Sequence, residues 1–149
     1  MAIQKEINWT HKGKEFDKIP NGAFGFVYII EFGSGELYTG KKRFYQTKTM
    51  KPLKSGVNRV GGKFFNKIVN RKITKQESVT TENDWRTYEG SSKNTKHRNI
   101  KSKEILQVYT DSINLTYGEL EWMIRLDVIR SEVYLNDNIL GKFFRGKIK

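Results

Sequence analysis

The run Phe26-Val27-Tyr28-Ile29-Ile30-Glu31-Phe32-Gly33-Ser34-Gly35-Glu36-Leu37-Tyr38-Thr39-Gly40 constrains the fold more tightly than any other part of the chain. Two β-branched and aromatic segments flank a glycine-rich turn, which is the pattern of a β-hairpin. Residues 24–32 are apolar on both faces and predict a central strand covered on each side, with 37–44 as its partner. Loop length then decides which side chains share a face, because opposed residues in an antiparallel pair point the same way and faces alternate along each strand. With an even loop, Tyr28 opposes Lys41 and the two tyrosines point apart. With the three-residue loop Gly33-Ser34-Gly35, and Gly35 left-handed in a bulged turn, Phe32 opposes Glu36 and Tyr28 opposes Gly40. Tyr28 and Tyr38 then share a face, Gly40 leaves a notch beside Tyr28, and Lys42 joins them opposite Phe26. Lys41 and Arg43 point the other way.

A lysine beside two phenols suits phosphate chemistry, since a nearby cation stabilises phenolate character and attracts a phosphate. The same residue types are also ordinary in strands, where tyrosine packs well and lysine protects edges.

The formal net charge of +12 is concentrated rather than spread. Between Leu37 and Gln76 stand twelve basic residues, Lys41, Lys42, Arg43, Lys48, Lys51, Lys54, Arg59, Lys63, Lys67, Arg71, Lys72 and Lys75, with no acidic residue among them. The other 16 lysines and arginines are matched by 16 aspartates and glutamates, so the whole excess sits in this one interval. A basic segment interleaved with Phe44, Tyr45, Phe64 and Phe65 fits a nucleic acid, because each neutralised phosphate releases condensed counterions. Pro52, Gly56, Gly61 and Gly62 would interrupt the amphipathic helix that an anionic membrane surface favours. A solvated loop that only aids solubility remains open on composition alone.

A chain of 149 residues can build one sizeable core, and a single domain is expected over 1–149. There is no cysteine and only His11 and His97, which excludes a disulfide framework and a thiolate or histidine-based zinc centre. The absence of a leader pattern and of a long apolar run predicts a soluble, intracellular protein. Residues 1–22 read as a polar N-terminal arm and 45–83 as a basic insertion after the second strand, with a short helix near 63–71. Ser91 or Ser92 is placed to cap a short helix ending near residue 100, 104–109 reads as a third strand, and 116–131 carries the clearest helical periodicity. Residues 132–149 form a polar-aromatic tail. The expected class is α+β, a small three-stranded antiparallel sheet flanked by helices.

Val27-Tyr28 and Tyr38-Thr39-Gly40 resemble the paired signature of the GIY-YIG endonuclease family. Phe26 stands where the first glycine is usual, and Val27 and Thr39 stand for the isoleucines. Asp84-Trp85-Arg86-Thr87-Tyr88-Glu89-Gly90-Ser91-Ser92, Leu115-Thr116-Tyr117-Gly118-Glu119 and Tyr134-Leu135-Asn136 are similar to a phage-encoded branch, so the resemblance spans 24–138. It implies metal-dependent hydrolysis of DNA phosphodiester bonds in a phage-infected host, with one Mg²⁺ or Mn²⁺ held by Glu119. Tyr28, Tyr38 and Lys42 would be catalytic, supported by Gly40, Arg43 and Asn136. For the cation facing the scissile phosphate, Arg86 and Lys93 stay open beside Lys42 and Arg43. Lys41, Lys48, Lys51, Lys54, Arg59, Lys63, Arg71 and Lys72 would meet DNA phosphates.

Thr116 and Glu119 also form a capping-box pattern, in which the carboxylate would fold back onto the Thr116 amide instead of facing a metal. Glu121 is the alternative carboxylate, although Arg125 is placed to pair with it. Two other classes remain open: a non-catalytic DNA- or RNA-binding module on the same scaffold, and a basic interaction protein docking an acidic partner.

Overall fold

In a computed structural model, residues 6–50 and 77–149 are described. The chain divides into two compact units, Met1–Phe44 together with Asn83–Lys149, and Tyr45–Glu82. The first holds strands β1 (Trp9–His11), β2 (Lys14–Glu15), β3 (Gly25–Phe32) and β4 (Leu37–Arg43). The second holds β5 (Tyr45–Met50) and β6 (Glu77–Glu82), after which the first unit continues with β7 (Ile100–Tyr109), helix α1 (Ser112–Arg125), β8 (Asn138–Ile139) and β9 (Phe143–Phe144).

The hairpin adopts the odd register. Tyr28 pairs with Gly40, Ile30 with Tyr38 and Phe26 with Lys42. The Phe32 amide donates to the Glu36 carbonyl at 2.9 Å, and Gly35 takes a φ of 90°, the left-handed conformation that the bulged three-residue loop demands. Burial on both faces makes β3 central, as its sequence predicts, between β4 and β7.

The antiparallel trio β7-β3-β4 is only part of the sheet. The order is β2-β1-β7-β3-β4, five strands, with β1 parallel to β7 through Trp9 opposite Lys103. The N-terminal arm is therefore structural. Its scattered apolar residues, among them Trp9, Phe16 and Ile19, show no strand period, yet Trp9 is buried and its indole N–H donates to the Trp85 carbonyl at 2.7 Å. Among the described residues, helices do not flank both faces either. Trp9, Phe26, Phe44 and Trp85 cover one face with edge-on and tilted rings 5.0–6.2 Å apart, a large apolar burial that takes the place of a helical layer. On the other face α1 packs Met123 and Leu120 with Ile29, Leu37, Val128 and Ile129.

The helix begins four residues before the predicted Thr116. Asp111 is the N-cap, its carboxylate accepting from the Asn114 amide at 2.8 Å, and the helix stops at Arg125 rather than near 131, where Asp127 turns left-handed at φ 53°. Thr116 and Glu119 thus lie inside the helix, and the capping-box alternative is excluded. The short helix expected before residue 100 is only a 3₁₀ turn, Lys93–Thr95, capped by Ser92. Strand β7 takes over at Ile100 and is longer than 104–109.

The 132–149 tail is tied down by Arg145, whose guanidinium donates to the carbonyls of Val128, Ile129, Ser131, Tyr134 and Asn136. In the second unit β5 and β6 form an antiparallel ribbon from Tyr45 opposite Glu82 to Met50 opposite Glu77, where the sequence shows no sustained period. The helix expected near 63–71 lies outside the described residues, as do Lys51, Lys54, Arg59, Lys63, Arg71 and Lys72. Among the described residues no helix is long and apolar enough to cross a membrane.

Candidate active site

Strand β4 ends the sheet, so side chains from both of its faces reach the same rim. Tyr38 approaches from the aromatic face and Lys41 from the helical face. Tyr38, Ser92, Glu119, Asn136, Asp137 and Asn138 help to line a cavity of about 240 Å³.

Tyr28 is 1 % exposed, and its ring centroid lies 6.3 Å from that of Tyr38. The notch at Gly40 is filled by Tyr28 itself: a Cβ on Gly40 would stand 2.6 Å from the phenol oxygen. Glycine is needed there because the neighbouring strand's phenol lies across the backbone. Burial drives the Tyr28 phenol well above its ordinary pKa, with Tyr88, Tyr38 and Glu119 adding to the rise. Burial, Tyr88, Glu119 and Asp137 push Tyr38 up to about 12. Both phenols therefore keep their protons at neutral pH.

Glu119 points from the third turn of α1 towards the rim. Burial raises its carboxyl pKa, opposed by Lys41, whose ammonium lies 3.5 Å from the carboxylate and donates to the Thr116 hydroxyl at 3.0 Å. Glu121 pairs with Arg125 at 3.4 Å on the helix surface, away from this cavity. Asp137 lines the same cavity as Glu119, and one of its oxygens accepts from Asn94 at 2.7 Å. Hard divalent cations take oxygen donors and tolerate a mostly aqueous shell, so two carboxylates on one small cavity fit Mg²⁺ or Mn²⁺. Among the described residues no group of three or more His, Cys, Asp or Glu converges.

Asn136 is buried with both ends of its amide engaged. Its Oδ1 accepts from the Thr39 amide at 3.1 Å and its Nδ2 donates to the Thr39 carbonyl at 2.8 Å. Together with the Leu37 amide bonded to Val133 and the Leu135 amide bonded to Leu37, it seals the outer edge of β4. Its role in the structure is to hold the rim strand.

Lys42 reaches the tyrosine face as the register requires, but its ammonium is engaged 2.8 Å from Asp84 and lies 4.1 Å above the Tyr88 ring. The Lys42 hydrogen bond lowers the Asp84 pKa. Arg43 is exposed with its guanidinium 5.5 Å from the Phe24 ring, and Arg86 donates to the Asp17 carbonyl at 2.9 Å. Lys48 is an exposed residue of β5, in the other compact unit. The structure thus brings together Tyr28, Tyr38, Gly40, Lys41 and Glu119, with Asn136 behind the strand. Sequence reasoning missed Tyr88, whose ring meets Tyr28 edge-on at 5.9 Å, and Asp137. Tyr88 reads as core within the aromatic run 84–90, and only its pairing with Lys42 sets it apart. Asp137 follows Asn136 directly but carries no spacing signal.

No curated protein and no solved structure matches this chain. A family model does, over residues 9–139, and it is described as "Putative endonuclease segE, GIY-YIG domain". That match takes in β1 through β8, including both tyrosines, Glu119 and Asn136, and so covers the whole of the assembly at the β4 rim. The chain belongs to the segE branch of the phage-associated GIY-YIG endonuclease family.

Proposed function

We propose that this protein is a metal-dependent endonuclease that hydrolyses DNA phosphodiester bonds at the β4 rim. The observation that carries the proposal is the arrival of Tyr38 and Glu119, from opposite layers, at one cavity beside the buried Tyr28. Glu119, with Asp137 on the same cavity, would hold Mg²⁺ or Mn²⁺. When bound, that cation would polarise the phosphate and offset charge on the leaving oxygen.

The chain's own groups have separable tasks. Tyr28 and Tyr38 retain their protons and donate hydrogen bonds, orienting the attacking water and a phosphate oxygen. Lys41 is the cation best placed to meet the scissile phosphate, since Lys42 is tied to Asp84. Asn136 and Arg145 keep the rim strand and the cavity wall in place. The basic segment between Leu37 and Gln76 supplies the phosphate contacts that hold the duplex.

Nicking of a supercoiled plasmid tests this. Wild-type protein should cut with Mg²⁺ and not with chelator, and Glu119→Ala and Tyr28→Phe should each abolish most of the cutting. Wild-type rates in both variants would overturn the site. Salt-dependent DNA binding without any cleavage would instead leave a non-catalytic binding module. Binding should weaken with log salt by roughly 0.9 log units per phosphate contacted.

A further inference from the structure

Helix α1 carries two apolar faces. Leu115, Gly118 and Met123 are buried, while Ile113, Tyr117, Leu120 and Ile124 recur at helical spacing on a second stripe. On that stripe Ile113 is 82 % exposed and Tyr117 66 %. Among the described residues the Tyr117 ring stacks on no other ring. Single exposed apolar side chains are ordinary, but a contiguous group of them marks a contact surface. Ile113, Thr116, Tyr117, Leu120 and Leu140 help to line a hollow of about 390 Å³ there. Leu140 also lines the cavity of Tyr38 and Glu119, so the two hollows share a wall. Thr116 joins them a second time, because its hydroxyl accepts from Lys41 at 3.0 Å and the same ammonium lies 3.5 Å from Glu119. Leu140 keeps this place in a conformation that leucine rarely adopts. Its φ is 57°, and the following Gly141 amide donates to the Asn138 side chain at 2.9 Å, which fixes the turn.

We infer that Tyr117, Ile113 and Leu140 form a base-stacking platform, on which an unpaired nucleobase of the DNA lies while a phosphate of the same strand occupies the cavity of Tyr38 and Glu119. A nucleotide joins a flat, apolar face to an anion through one sugar. The surface offers the matching pair side by side, an aromatic and aliphatic hollow with the Lys41 ammonium at its edge. Every base has a π face, so a tyrosine platform accepts any of them. A base inside a duplex is already stacked, and reaching Tyr117 requires it to leave the helix at a cost that is smallest where it is unpaired. The platform therefore favours DNA that is distorted or unpaired at the cut over regular duplex. A protein partner could cover the same apolar stripe, but it would have no use for a phosphate cavity sharing the Leu140 wall. The inference rests on the reading of the Glu119 cavity as the place of the scissile phosphate.

The test measures binding of the full chain to two duplexes of one sequence by fluorescence anisotropy, with chelator present so that the strands stay whole. One duplex is fully paired and the other carries a single bulged 2-aminopurine. Wild-type protein should bind the bulged duplex roughly 10-fold more tightly, and the 2-aminopurine emission should fall as the base stacks. The ratio should hold across a salt series, because the two duplexes offer nearly the same phosphates. Tyr117→Phe keeps the ring and should keep the ratio. Tyr117→Ala should bring the ratio within twofold of one and leave the urea midpoint near that of wild type, as befits an exposed side chain. Leu140→Asn suits the left-handed backbone but removes the apolar group, and should lower the ratio in part. Equal affinity of wild type for both duplexes, or an undiminished preference in Tyr117→Ala, overturns the inference. So does a wild-type dimer that Tyr117→Ala turns into a monomer in sedimentation, since a second copy would then cover the face. Plasmid nicking separates this from the nuclease reading. Nicking without a Tyr117-dependent preference removes the platform and leaves the nuclease, whereas the preference without nicking leaves the platform and removes the nuclease.

Discussion

Lys41 Nζ lies 3.5 Å from Glu119 Oε1, so a cation paired with the proposed metal carboxylate comes from the strand face opposite Tyr28 and Tyr38. A central strand would keep the two faces apart by the thickness of the sheet. An edge strand does not, because side chains from either face can reach towards its outer side. Lys41→Met should therefore lower kcat for plasmid nicking about 100-fold, the scale of losing one charged stabilising group. Salt-dependent DNA affinity should change by no more than one phosphate contact, measured by fluorescence anisotropy across a salt series.

Gly40→Ala should displace the Tyr28 phenol, since the added methyl would come within 2.6 Å of its oxygen and the ring is enclosed by Trp9, Phe26 and Tyr88. Overpacking of this kind costs about 1–3 kcal/mol. Chemical denaturation should show that loss, and cleavage should fall more steeply than DNA binding. Equal stability with full cleavage would show that the rings have room to yield.

Asn136→Ala removes two hydrogen bonds from the Thr39 backbone and leaves buried polar groups unpaired, at a cost of about 2–4 kcal/mol. Hydrogen exchange should quicken at the Thr39 amide before it does at Ile29 or Ile105. Asn136→Asp keeps an acceptor for the Thr39 amide but loses the donor, so it should fall between wild type and alanine.

Lys103 gives the clearest dependence on pH. Burial lowers its ammonium pKa to about 8, with Glu89 and Glu6 partly opposing the shift, while its Nζ donates to the Arg86 carbonyl. The unfolded chain, with an ordinary value of 10.5, binds more protons between these two values. Stability should therefore rise as pH increases from about 8 towards 10.5, on the order of 2 kcal/mol. Lys103→Met should abolish the rise, as read from urea midpoints over that range.

The hairpin and its central strand were legible from the sequence because both follow from local rules, a glycine turn and a double-faced apolar run, whereas the register stayed open between an even and a three-residue loop and follows from the observed pairing of Tyr28 with Gly40. Glu119 and Asn136 came from resemblance, and the placement of neither follows from its local sequence. The helix start was misjudged because Thr116-Tyr117-Gly118-Glu119 satisfies a capping pattern, whereas Asp111 satisfies the actual one through Asn114. Trp9 was missed because β1 is three residues long and parallel to β7, too short for any period to show. Tyr88 and Asp137 reach the site through turns whose path depends on contacts distant in sequence, such as Asn94 with Asp137 and Lys42 with Asp84.

The Gly33-Ser34-Gly35 turn makes the candidate site sensitive to parity rather than to length. Adding one residue there would send Tyr38 and Lys42 to the helical face and bring Lys41 to the aromatic one, dismantling the assembly without removing a single side chain. The unit Tyr45–Glu82, far longer, sits between two points clasped by Asn83 and Phe44, and leaves the same pairing intact. Such a chain can gain a whole ribbon during its history more safely than it can gain one amino acid in a turn.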